Sequence, residues 1–278
     1  MPLLEETGVI PSQKYAQQQE LMSHSQKIAE HYGLYKNAVF GAGVTGMEWS
    51  DAEGKYTITT NKGDCFKARF VVMNFGTFTQ PKLPGVPGVG SFKGHVMHTS
   101  RWDYDYTGGS SAGGLDKLKD KRVAIIGTGA TAIQVTPHLG KHSKQLYVFQ
   151  RTPSSVDIRN QTKTTPEFIA ENLSQPGWQA DRQVNFYEMV QTNKGAEVDL
   201  VNDGWTDIIR NQQMQLATAT RKMRDEGKSR EEITKMRRRV QYQQMEKVRS
   251  RCQIVVDDKE TAENLKPWYN QFCKRPCE

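Results

Sequence analysis

Cysteine is scarce in this chain. The four residues Cys65, Cys252, Cys273 and Cys277 in 278 are too few and too scattered for a disulfide framework. Cys273 and Cys277 flank Lys274-Arg275-Pro276, but two thiols without a second pair or a neighbouring histidine do not make a zinc site, so no metal is expected. No apolar run approaches the ~20 residues that a membrane-spanning helix requires. The start, Met1-Pro2-Leu3-Leu4-Glu5-Glu6, lacks the basic and apolar regions of a secretory leader. A cytoplasmic protein without membrane association is therefore expected. Aromatics are sparse where positive charge is dense: the net charge of +7 owes much to the basic residues between Arg221 and Arg251, which alternate with acids. Such a run reads as a solvated helix face, and with few rings to stack on bases no nucleic-acid partner is expected.

At 278 residues, 36% hydrophobic and 25% charged, the chain can hold one large or two modest domains with a sizeable core. Residues 12–32 read as a helix that Ser12 can cap and Gly33 can end. The period then changes. Val39 to Val44, Tyr56 to Thr60 and Phe66 to Met73 read as an antiparallel meander, with turns at Asp51–Gly54 and Asn61–Gly63. Pro81 to Gly88 reads as an extended connector, and Gly108 to Gly114 as a flexible loop. From Arg122 the order is strand (Val123 to Ile126), glycine turn (Gly127 to Ala132), helix to about Leu139 and strand (Leu146 to Phe149), one βαβ unit of a doubly wound sheet. Residues 164–251 read as a largely helical insertion, and Ile254-Val255-Val256 is too short to assign.

Two glycine motifs compete for a nucleotide. Gly41-Ala42-Gly43-Val44-Thr45-Gly46 has all three glycines of G-x-G-x-x-G, yet Glu48 to Lys55 after it reads as strand and turn, leaving no helix N-terminus to receive a pyrophosphate. It is read as glycines of a meander. Gly127-Thr128-Gly129-Ala130-Thr131-Ala132 carries alanine at the third position but has the required strand before it and helix after it. An NAD site would place Asp or Glu about 20 residues on. Here the chain reads Gln150-Arg151-Thr152, and a guanidinium at that place would bind the 2′-phosphate of NADP. The alternative is a surface arginine with no ligand.

Between the two punctuations, Phe92 to Asp103 fits F-x-G-x-x-x-H-x-x-x-W-[P/D] through Phe92, Gly94, His98, Trp102 and Asp103. This fingerprint resembles that of flavin-dependent Baeyer-Villiger monooxygenases. The resemblance extends to Leu3 to Gly8, Tyr32 to Tyr35, Arg101 to Tyr104, Ile126 to Thr131, Tyr147 to Pro153 and Phe272 to Cys277. It implies FAD and NADP as cofactors and a ketone as substrate, converted with NADPH and oxygen to an ester or lactone. By position Arg275 matches the arginine that stabilises the peroxyflavin anion and holds the nicotinamide, a charge role suited to a guanidinium. Lys274 matches a lysine on the NADP 2′-phosphate. His98 and Trp102 match linker residues coupling domain movement to cofactor binding, and Val44 matches a backbone contact to the FAD adenine. Phe75, in Val71 to Gly76, stands where the family has smaller residues.

The resulting expectation is an α/β protein: an NADP-binding doubly wound Rossmann-like domain over 121–278 with a helical insertion at about 164–251, a partial FAD-binding domain with a β-meander over 1–90, and an interdomain linker over 91–120. The family's own FAD-binding G-x-G-x-x-G and D-x-G-G-T-W segments would lie before Met1. The chain alone is accordingly expected to lack tight flavin binding and turnover, and a complementary FAD-domain chain is a candidate partner. The alternative is a non-redox relic of the fold, an isomerase or cyclase or a partner-binding subunit. A plain NADP-dependent reductase is disfavoured because no Tyr-x-x-x-Lys pair follows the Gly127 turn at the usual distance.

Overall fold

In this computed structural model, residues 1–76, 80–158, 160–191, 198–203, 206 and 215–269 are described. In chain order the elements are α1 (Leu4–Thr7), α2 (Gln18–His31), β1 (Val44–Ser50), β2 (Lys55–Thr60), β3 (Cys65–Ala68), α3 (Tyr104–Thr107), β4 (Arg122–Ile126), α4 (Ala130–His142), β5 (Gln145–Phe149), α5 (Pro166–Asn172), α6 (Trp178–Gln191), α7 (Gln215–Asp225), α8 (Arg230–Val255) and α9 (Lys259–Asn264). This α/β chain forms two units, residues 25–103 and residues 1–24 with 104–278. No helix among the described residues is long and apolar enough to cross a membrane.

In the unit of residues 25–103, β1, β2 and β3 form an antiparallel meander. The turns fall at the glycines that can adopt positive φ, Gly54 (φ 59) and Gly63 (φ 83). Trp49 pairs with Tyr56 across β1 and β2, their rings edge-on at 4.9 Å, a contact worth about 0.5–1.5 kcal/mol beyond area burial. Two strand boundaries differ from expectation. The first strand covers Val44–Ser50 rather than Val39 to Val44, because Gly43 is held by the following turn: its N–H donates to Asn61 Oδ1 and its carbonyl accepts from Asn61 N–H, both at 2.8 Å. The third strand stops at Ala68 rather than Met73, since Ala68 already faces Tyr56, one residue from the start of β2.

In the other unit, β4 and β5 pair in parallel, from Arg122↔Gln145 to Ile126↔Phe149, with α4 as the crossover. Ile125 on β4 and Ala132 and Leu139 on α4 are buried, together with Leu115 and Leu118. Each large side chain so removed from water contributes about 1.5–3 kcal/mol. The expected flexible loop at Gly108 to Gly114 is a closed turn in which Ser110 and Gly113 exchange N–H···O bonds of 2.9 Å. Alanine at Gly109 (φ 73) would bring a methyl against the backbone of Gly113 and Gly114.

The helix expected over 12–32 starts only at Gln18, and Ser12 does not cap it. Residues 12–15 run extended against 161–164: Lys14 N–H donates to Thr162 O and Thr164 N–H to Ser12 O, both at 2.9 Å. The Glu20 carboxylate reaches back to Ser12 N–H (2.7 Å) and Oγ (3.1 Å). Nearer the start, Glu5 accepts from Gly177 N–H (2.8 Å) and Gln179 N–H (3.0 Å), while Gln179 Oε1 accepts from Leu4 N–H (2.7 Å). These bonds place residues 1–24 with the unit of 104–278, whereas sequence alone groups them with the meander.

Over 164–251 the described residues are largely helical, in α5 to α8. Ile254 and Val255, too short a run to assign from sequence, form the last turn of α8. This helix opens on a capping box: Ser229 Oγ accepts from Glu232 N–H and Glu232 Oε2 accepts from Ser229 N–H. Lys228–Glu232 and Lys235–Glu231 pairs line its exposed face, in keeping with a solvated charge run. Ser229→Ala is expected to lower the unfolding free energy by about 1 kcal/mol, read as a reduced urea midpoint with an unchanged slope.

Candidate functional site

Because β4 and β5 are parallel, both present their C-terminal ends at the same edge. Gly127 leaves β4 with φ 102 and donates its N–H to Phe149 O at 2.8 Å, so it lies beside the end of β5. A Cβ there would meet nothing within 4 Å; its positive φ, not crowding, is what favours glycine. Gly129 is the N-cap of α4 and has extended backbone. The first amides of α4, from Ala130 and Thr131, point off the helix N-terminus without intrahelical acceptors. This is the donor array and dipole end that a pyrophosphate requires.

Thr128 Oγ1 donates to Thr152 O at 3.2 Å and Ser154 Oγ donates to Thr128 O. The structure therefore brings Gly127 to Thr131 and Arg151-Thr152 together at one edge. Arg151 is exposed, and its guanidinium makes no hydrogen bond or ion pair among the described residues. On either side of the Arg151-Thr152 pair in the chain, Gln150 Oε1 and Ser155 Oγ are buried without a hydrogen-bond partner among the described residues. An open glycine turn, the amides at the start of α4 and an exposed guanidinium fit a bound phosphate-bearing dinucleotide.

The first glycine motif is a different structure. No helix follows Gly41 to Gly46, and the residues continue into β1. Gly46 sits at a register shift where a Cβ would lie 2.9 Å from Thr59 Oγ1, so close packing at a bulge accounts for it. Val44 opens β1 opposite Thr60 and is exposed. Phe75 is exposed. These residues do not form a flavin phosphate site by themselves.

The fingerprint residues lie in the unit of residues 25–103. The Phe92 ring covers Gly94, where a Cβ would come 2.5 Å from the ring. His98 Nδ1 accepts from Ser100 N–H at 3.2 Å and lies 2.8 Å from Ser100 Oγ, capping the turn Thr99–Arg101. That acceptor role assigns the neutral ring's proton to Nε2. Asp103 pairs with His95 Nε2 at 3.1 Å, a partner hidden among the variable positions of the fingerprint. Trp102 is half-buried beside it. Lys274 and Arg275 lie outside the described residues.

Sequence reasoning missed how the chain after β5 is fixed. Gln150 Nε2 donates to Asn264 O at 2.8 Å, Tyr269 Oη donates to Pro153 O, and Arg251 donates to Val156 O at 2.8 Å. Burial raises the Tyr269 pKa, against a backbone hydrogen bond that lowers it, so the hydroxyl stays a neutral donor. Arg249, one of the presumed solvated cations, is instead buried, its side chain 4% exposed. It donates to Pro267 O (3.2 Å), Tyr242 O (3.1 Å) and the Glu246 carboxylate (2.7 Å), and lies 4.7 Å from the Trp268 ring centre. Its spacing is the available signal: Met245, Val248, Arg249 and Cys252 stand at i, i+3, i+4 and i+7, on the one face of the helix that carries the buried Met245 and Val248.

Residues 4–176 match the family described as pyridine nucleotide-disulphide oxidoreductase, and the chain belongs to that family. Within it the chain is a partial member of the Baeyer-Villiger monooxygenases. It is 48% identical over 277 residues to Baeyer-Villiger monooxygenase ATR8 of Stachybotrys chlorohalonatus, covering all of this chain and 43% of the relative. It is 47% identical to pentalenolactone D synthase of Streptomyces exfoliatus, again over all of this chain and 46% of the relative. The solved polycyclic ketone monooxygenase of Thermothelomyces thermophila superposes with a TM-score of 0.83 at 36% identity, covering 99% of this chain and 45% of that one. The chain thus spans under half the length of these relatives. They lend no support to the isomerase, cyclase or partner-binding alternative.

Arg249→Ala removes the donors to two backbone carbonyls and is expected to cost about 2–4 kcal/mol. Arg237→Ala, exposed on the same helix, should change stability by no more than about 0.5 kcal/mol. Paired urea titrations check the contrast.

Proposed function

We propose that this chain is the NADPH-binding part of a flavin-dependent Baeyer-Villiger monooxygenase acting on a ketone, with a doubly wound nucleotide domain and a portion of the flavin domain. The observation that carries this reading is the shared edge of β4 and β5, where the Gly127 turn and Arg151 stand side by side. The amides at the start of α4 would hold the pyrophosphate of NADP. Arg151 would hold its 2′-phosphate by charge-assisted donors, and an acid that could select the unphosphorylated ribose is absent from Gln150-Arg151-Thr152. Lys274 would add a second cation to that phosphate and Arg275 would hold the nicotinamide end, as the family resemblance implies.

In this class of reaction the dinucleotide supplies the hydride and the flavin the oxygen chemistry. The chain's own residues bind and orient. The bonds from Thr128 to Thr152 and from Ser154 to Thr128 fix the two halves of the phosphate edge to each other. His98 serves as a cap rather than as a base, since its Nδ1 is committed to Ser100. The described residues do not fit FAD without a further phosphate-binding segment, because Gly41 to Gly46 lead into β1 and not into a helix. In the reading proposed here, a complementary FAD-domain segment would have to supply that site.

NADPH and NADH titrations of the 278-residue chain test the nucleotide part. Arg151→Gln should weaken NADPH binding about 10- to 100-fold, the worth of a charged hydrogen-bonded contact, and leave NADH nearly unchanged. Equal losses for both nucleotides would remove Arg151 from the 2′-phosphate. The same preparation should be colourless and consume no NADPH with a ketone; a yellow protein that turns over would show that the chain holds flavin unaided.

A further inference from the structure

A second cationic site lies in the unit of residues 1–24 and 104–278. A cavity of about 750 Å³ opens between the N-terminal segment, the residues around α5 and α6, and 198–202. That size suits a small organic ligand. Its wall is apolar and aromatic over much of its area, with Tyr15, Phe168 and Trp178 contributing rings. The charged residues of the wall are Lys14, Lys163, Arg182 and Asp199, an excess of two positive charges (3 − 1).

Arg182 on α6 is the distinctive member. It is half-buried, with its guanidinium 5.7 Å from the Phe168 ring centre, and it makes no hydrogen bond or ion pair among the described residues. Burial lowers its pKa from the ordinary guanidinium value, and the charge of Asp199 partly restores it. Asp199 forms no hydrogen bond or ion pair with it among the described residues; its Oδ1 accepts from Val201 N–H (3.0 Å) and Asn202 N–H (2.7 Å). Lys14 is likewise engaged with Asn202 O at 2.7 Å. Nearby Asp203 is taken by the Tyr15 hydroxyl at 2.9 Å and Thr206 N–H at 3.0 Å. A guanidinium partly withdrawn from water, with no partner among the described residues, gains from an anionic acceptor. The planar fork of arginine matches a carboxylate, and the rings around it match an apolar body.

We infer that this cavity binds an apolar organic monocarboxylate, its carboxylate on Arg182 and its body against Phe168 and Trp178. The site is distinct from the Gly127 edge, and the inference does not rest on the proposed monooxygenase reaction.

Calorimetric titration of the full chain with cinnamate, its neutral amide cinnamamide and the aliphatic octanoate tests it. Cinnamate should bind once per chain, about tenfold or more tighter than the amide, as expected for a charge-assisted contact. Octanoate binding more tightly than cinnamate would make the ligand a fatty acid; the reverse order, an aromatic acid; either supports the site. Arg182→Gln should lower cinnamate affinity about tenfold towards that of the amide. Asp199→Asn, which keeps the acceptor for residues 201 and 202, should raise it. Arg151→Gln should leave it unchanged. Equal affinity for acid and amide, no cinnamate binding, or a loss caused by Arg151→Gln instead of Arg182→Gln overturns the proposal. Should Arg182→Gln fail to fold by circular dichroism, the acid-to-amide ratio on the unaltered chain still decides.

Discussion

The parallel pairing of β4 with β5 is the constraint from which the candidate nucleotide site follows. Two parallel strands cannot be joined by a hairpin, so the chain must cross over, and α4 is that crossover. The crossover must begin where β4 ends, which sets a helix N-terminus at the strand edge. Parallel direction then brings the end of β5 to the same edge, and the Gly127 N–H to Phe149 O bond closes the two together. A glycine with positive φ, free amides and Arg151 converge there without any of them being selected separately by the local chain. The same logic disqualifies Gly41 to Gly46: its glycines lead into an antiparallel strand, and antiparallel return offers no helix end.

The βαβ unit was legible because its signals are local. β-branched strand residues, a glycine turn and a helix of ordinary length lie within the thirty or so residues from Arg122 to Phe149, and a helix between two such strands implies that they pair in parallel. The meander was legible in kind and displaced in position, since strand ends depend on partners rather than on propensity. Val39 and Phe40 have strand-like side chains but are not part of β1, because Gly43 is bound to Asn61 instead. Residues 12–17 show the same limit. They have a plausible cap and helical spacing, yet Ser12 and Lys14 form backbone bonds with residues 162–164, and long-range pairing overrides the local preference.

The fingerprint is a mixture of both kinds of information. Its glycine and phenylalanine have a local explanation, one covering the other, and its histidine caps the turn that follows. The aspartate pairs with His95, which no pattern of fixed positions includes. A motif of this sort records which residues hold a short irregular segment in one conformation. It says little about chemistry by itself, which is why the nucleotide edge, and not the fingerprint, carries the functional reading.

Three arginines illustrate what tertiary structure adds to composition. Arg151 is exposed at a strand edge and has no partner among the described residues, so water screens it until an anion arrives. Arg249 is buried, and two carbonyls, a carboxylate and an indole ring take up its donors and charge, so it holds the chain after α8 in place. Arg182 lies between these states, partly withdrawn from water and without an acceptor among the described residues. In the sequence all three are one letter in a basic chain. Their roles diverge because a guanidinium cannot be neutralised: where it is wet it can wait for a ligand, where it is saturated it serves the fold, and where it is partly withdrawn from water beside aromatic rings it favours an anion that brings an apolar body.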